Sequence, residues 1–167
     1  VTIGGTATLK DMRFDGGQLR VNAGSTVTLT GNTFHAGDTK WTSPIVIAPS
    51  LTDRLDGNVF SENTMISIQS GLIASKQVVW RKLANVDGYL LYDTNPNNYY
   101  QNGVVTVGAQ GGLTIEAGNR ISQDTAGGVL QGQIVVESSG RLNAADVTFV
   151  TNTRFDAGAS GSLLDNT

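Results

Sequence analysis

The chain has 167 residues, 21 of them glycine and only 3 proline, with 15% charged residues and no cysteine. This length supports one domain with a sizeable core, and abundant glycine with scarce proline argues against collagen and against Pro/Gly-rich disorder. A net charge of −3 with eleven scattered basic residues argues against nucleic-acid binding, and the lack of cysteine leaves no disulfide scaffold or thiolate metal site.

Taken in order, the residues repeat one apolar code: two inward residues, an eight-residue step to two more, then a bulky closer. A truncated copy opens the chain at Val1, Ala7, Leu9 and Phe14, and the clearest follows at Leu19, Val21, Val27, Leu29 and Phe34. Here Thr26, Thr28 and Thr30 alternate with apolar neighbours, which is the strand period. Asn22-Ala23-Gly24-Ser25 and Gly31-Asn32 supply corners, since Gly and Asn tolerate positive backbone angles. The next copy is Ile45, Ile47, Leu55 and Phe60, with Gly57-Asn58 before its closer, and Ile68 continues the column. Beyond it, residues 79–101 read as an insertion or flap, rich in aromatic residues and asparagine. The code resumes at Val105, Val107, Leu113, Ile115 and Ile121, then at Ile134, Val136, Leu142, Ala144 and Phe149, and closes on Phe155 and Leu163. A smaller Gly-rich excursion spans residues 123–132.

A unit recurring every ~20–30 residues cannot bury its own apolar face and must stack on its neighbours. The expected fold is therefore all-β: a parallel β-helix, or β-solenoid, of about 6–8 coils with one loop insertion, forming a single domain over residues 1–167. An antiparallel sandwich would need hairpin signals, and Asn102-Gly103 is the one Asn-Gly dipeptide. The opening and closing stretches also resemble one another at an offset of about 134–135 residues, with Asp11 and Phe14 matching Asp146 and Phe149. Two readings fit that likeness, a tandem superrepeat or the generic similarity of coils.

The stretch from Trp80 through Tyr89-Leu90-Leu91 and Val104-Val105-Thr106-Val107 to Gly112-Leu113-Thr114-Ile115-Glu116-Ala117-Gly118 resembles the start of a β-helix block in large secreted bacterial proteins. The resemblance is to right-handed parallel β-helix proteins of the pectate-lyase-like superfamily, which includes repetitive adhesins and autotransporter passengers. It implies right-handed winding and an extracellular or cell-surface location. It does not by itself imply an activity, because such folds serve as lyases, hydrolases, adhesins and spacers alike.

The residues point to a structural or adhesive module without catalysis or cofactor, a fragment of a longer repetitive protein. No apolar run approaches the ~18 residues of a membrane-crossing helix, and no signal peptide is visible. Self-stacking through open coil ends is the expected partnership, with surface glycans or cell-surface proteins as further partners. Trp80, Tyr89, Tyr92, Tyr99 and Tyr100 are the expected contact residues, since flat amphipathic rings carry area and a polar handle together. Asn32, Asn58 and Asn119 are expected to stack as one inward asparagine ladder.

An enzymatic and a metal-binding reading stand against that. Asp53 and Asp56, the densest acidic pair beside Arg54, would serve general acid–base attack on a polysaccharide, or act as turn residues bonded to their own backbone. His35, the single histidine, with Asp38 nearby, reads as a loop residue rather than a metal ligand.

Overall fold

Period-two alternation carries over directly into buried and exposed side chains. In the strand Thr26–Thr30, Val27 and Leu29 are buried while the three threonines face outward. In Arg141–Ala145, Leu142 and Ala144 are the buried pair. The computed structural model describes residues 1–35, 43–92, 103–123 and 132–167.

The described elements follow one another in threes. The first unit is β1 (Thr2–Ile3), β2 (Thr6–Lys10) and β3 (Arg13–Asp15); the second is β4 (Leu19–Val21), β5 (Thr26–Thr30) and β6 (Thr33–His35). The third is β7 (Ile45–Ile47), a 3₁₀ helix (Pro49–Leu55) and β8 (Val59–Phe60). The fourth is β9 (Thr64–Gln69), β10 (Gly71–Ile73) and β11 (Gln77–Trp80), and the fifth is β12 (Val86–Tyr92), β13 (Val104–Val107) and β14 (Gly112–Ile115). The sixth is β15 (Arg120–Gln123), β16 (Gln133–Val136) and β17 (Arg141–Ala145), and the seventh is β18 (Thr148–Phe149), β19 (Asn152–Phe155) and β20 (Ser160–Leu164).

The fold is all-β, built of stacked parallel sheets. One long sheet takes the first strand of every unit, in the order β1-β4-β7-β9-β12-β15-β18. The other two faces are each split. Sheets β2-β5 and β3-β6-β8 serve the first half, and sheets β10-β13-β16-β19 and β11-β14-β17-β20 serve the second. Parallel neighbours need a crossover, and here the remaining two elements of each unit supply it.

Like residues lie over like in the interior. Ile3, Val21, Ile47, Ile68 and Leu91 are register partners along the long sheet. The rings of Phe14, Phe34 and Phe60 stack at 4.9 and 5.3 Å. Each fully buried aliphatic or Phe side chain in these columns contributes roughly 1.5–3 kcal/mol, so the core runs the length of the stack.

Four details differ from the sequence reading. Val1 is 79% exposed and Ile3 takes its place opposite Val21. The second strand expected at Leu55 is a 3₁₀ helix, because Pro49 has no N–H to give to a ladder. The described part of the expected insertion joins the stack: residues 79–80 end β11 and residues 86–92 form β12, paired with strands on both sides. Residues 93–102 lie outside the described residues. Finally, the column drawn through Val21, Ile47, Ile68, Val107 and Val136 is two columns. The first three are on the long sheet, whereas Val107 and Val136 pair with Ile73 and Phe155 on the β10 sheet. From Ile68 to Val107 the described chain completes four strands where a regular step takes three. The code therefore reappears one face further round, and Ile121 and Phe149 lie on the long sheet rather than below Phe60.

Candidate functional site

Two structural clusters carry the polar chemistry. The first is built at corners where a glycine with positive φ turns the chain: Gly31 at 67°, Gly57 at 73° and Gly118 at 76°. Each turn delivers the following asparagine inward, where a buried amide must find partners. Asn32 Nδ2 donates to Leu9 O at 2.9 Å and to Asn58 Oδ1 at 2.9 Å, while Asn32 Oδ1 accepts from Met12 N at 3.0 Å. Asn58 Nδ2 donates to Leu29 O at 3.1 Å, and Asn58 Oδ1 also accepts from Asn32 N. These two form a ladder.

Asn119 is not its third rung. It lies at the corner leading into the long sheet, where Nδ2 donates to Trp80 O at 3.2 Å and Glu116 O at 2.9 Å. Its Oδ1 is buried without a partner among the described residues. Val147 follows at the equivalent place in the next unit, and Asn166 after that, with Oδ1 accepting from Val147 N and Nδ2 donating to Ala144 O. Of the single ladder expected from three Gly-Asn pairs, Asn32 and Asn58 form two rungs, and Asn119 stands apart on a different corner, because the code shifts by one face between them.

The aromatic residues divide sharply. Trp80 and Tyr89 are 0% and 1% exposed, with ring centroids 5.1 Å apart, and so are core rather than contact surface. Their polar handles face inward to the backbone: Trp80 Nε1 donates to Pro49 O at 3.4 Å, and Tyr89 Oη donates to Arg81 O at 2.7 Å. Burial, with the nearby charges of Glu116 and Asp56 adding to it and that of Arg81 opposing it, pushes the Tyr89 phenol well above its ordinary value. Tyr92 remains half-buried at the surface, with the Arg20 guanidinium 5.9 Å from its ring centroid. Tyr99 and Tyr100 lie outside the described residues.

The second cluster is a row of charges crossing three units. Arg81 Nε is 2.9 Å from Asp56 Oδ2, and Arg81 Nη1 is 3.7 Å from Glu116 Oε1. Glu116 Oε2 accepts from Lys82 N at 2.9 Å. Asp53 faces Arg54 at 3.8 Å and Lys76 at 4.0 Å. Asp53 and Asp56 thus face cations contributed by neighbouring residues and units. The sequence offered the two aspartates but did not join Arg81, Lys76 or Glu116 to them, because their meeting depends on which strand ends stack.

His35 ends β6 at an exposed position, and Asp38 lies outside the described residues. Among the described residues, no three His, Asp or Glu side chains gather closely enough to hold a metal ion. No described helix is long and apolar enough to cross a membrane. No family model, curated protein or solved structure matches this chain.

Proposed function

We propose that the chain is a right-handed parallel β-helix segment, acting as a non-catalytic structural and adhesive module of a large secreted or cell-surface bacterial protein. It supplies rigid extension and stacks end to end with further coils. The observation that carries this reading is the long sheet, in which seven parallel strands superpose their inward residues from one end of the stack to the other. Uncovered strands at the ends favour addition of more strands, because an exposed edge presents unpaired N–H and C=O groups. β20 is exposed throughout, and Phe155, Leu163 and Leu164 are 40%, 44% and 60% exposed. Tyr92 beside Arg20 is the side surface best suited to surface glycans or cell-surface proteins.

Sedimentation over a concentration series tests the stacking, run beside an assay of acidic polysaccharides. Association that grows with concentration and falls in Leu163→Lys supports the reading. A strictly monomeric chain that degrades a polysaccharide, and loses that turnover in Asp56→Ala, would replace it with a polysaccharide-active β-helix enzyme.

A further inference from the structure

The two ends of the molecule are the same structure. β5 lies on β2 through the pairs Thr26↔Thr6 to Thr30↔Lys10, and β20 lies on β17 through Ser160↔Arg141 to Leu164↔Ala145. The corners between those strands match in backbone angle: Asp11 and Asp146 at φ 54° and 53°, Gly24 and Gly158 at 80° and 86°. The asparagine bonds match as well. Asn32 takes Met12 N and gives to Leu9 O, as Asn166 takes Val147 N and gives to Ala144 O. Backbone bonds Asp11 N→Thr30 O and Thr33 N→Met12 O recur as Asp146 N→Leu164 O and Thr167 N→Val147 O. Residues 6–33 therefore recur at 141–167, offset by 134–135 positions.

Within this chain, what covers the first of these two ends is known. The described residues 45–60 lay β7 on β4, β8 on β6 and the Asn58 carboxamide on Asn32, with Gly57 O accepting from Gly31 N. We propose that the face made by β18, β19 and β20 is built to take the same segment, residues 45–60, from a second copy of this sequence, at a period of 134 residues. This deepens the stacking proposed above and rests on it. Asn58 of the second copy would sit on Asn166 as Asn58 sits on Asn32, and its β7 would extend β19.

The match carries a rotation. β3, β4 and β5 recur as β18, β19 and β20, sixteen elements later once the 3₁₀ helix is counted, which is one more than five full units. The counterpart of β4, on the long sheet, is β19, on the neighbouring face. Each added copy is therefore turned by one face, the long sheet passes to the next side, and three copies bring it back.

The test joins residues 34–167 of a second copy directly after Thr167, without a linker. The expected product melts in a single transition about 5 °C or more above the parent chain and is about 26 Å longer by small-angle scattering, at ~4.8 Å per unit. Asn58→Ala in the appended copy should lower the transition as much as Asn58→Ala in the first. Two transitions, an unshifted one, an insoluble product from a soluble parent, or a silent substitution in the appended copy would each overturn the proposal. These readouts report folding alone, so polysaccharide turnover would remove the non-catalytic reading and leave this seam standing.

Discussion

Asn32 ties three units together, and its removal should be costly. Asn32→Ala leaves Leu9 O and Met12 N without their side-chain partner, while Asn58 Oδ1 keeps only the bond from Asn32 N. At about 1–3 kcal/mol per orphaned group, a loss of at least ~2 kcal/mol in urea unfolding is expected. Asn119→Ala removes two donated bonds but also a buried oxygen that has no partner, so its cost should be clearly smaller. Equal costs would show that the two corners are not as different as their bonding. Tyr89 gives a pH signature. Its raised pKa means the folded state holds the proton more tightly than the unfolded one. The stability this contributes is fully present below the ordinary tyrosine value of about 10 and is lost as pH rises through the folded-state value. Melting temperature should fall above pH ~10 in the native chain and fall less in Tyr89→Phe. At this scale the sequence showed the Gly-Asn corners clearly. It misled on Trp80 and Tyr89, because an amphipathic ring suits a contact surface and a core equally well. The cue was present in the alternation of Val78 with Trp80 and of Tyr89 with Leu91, whose members face inward together.

Strand β12 shows how a single glycine sets an element. Its register against β9 shifts between Val86 and Gly88, and a Cβ built on Gly88 would lie 1.9 Å from Arg120 O. That neighbour is backbone and has no flexible end to move. Gly88→Ala should cost at least the ~1–3 kcal/mol of an overpacked site, seen as a lowered denaturation midpoint, whereas Gly17→Ala, with open space around it, should not. The charged row predicts the opposite kind of result. Asp56 and Arg81 are about half exposed, and surface pairs contribute roughly 0–1 kcal/mol. Asp56→Asn should therefore leave the melting curve nearly unchanged. Strand existence was legible wherever two apolar residues alternated with threonine or asparagine. The 3₁₀ helix was not, although Pro49 marked it, because Leu55 falls at the spacing a second strand would give.

At the level of the whole molecule, the stack, its parallel pairing and its unit length could be read from the recurring code. The shift of one face could not. Spacing reports how far apart two inward residues lie in the chain, but not how many sides the chain visits between them. Four described strands instead of three separate Ile68 from Val107, and this alone moved Val107 off the column of Ile47.

That shift leaves a seam. Between the third unit and the fourth, among the described residues only the long sheet continues its ladder, through Val46↔Ser67 and Ile47↔Ile68. The other two sides are bridged by packing of the 3₁₀ helix and by single bonds such as Thr52 Oγ1→Val79 O. Between the second and third units two ladders, β4-β7 and β6-β8, share the load, whereas here one short ribbon bears it. Pulled along its axis, the molecule should part at this joint before any other, and a row of such copies would carry breaking points spaced evenly along its length, each facing a different direction.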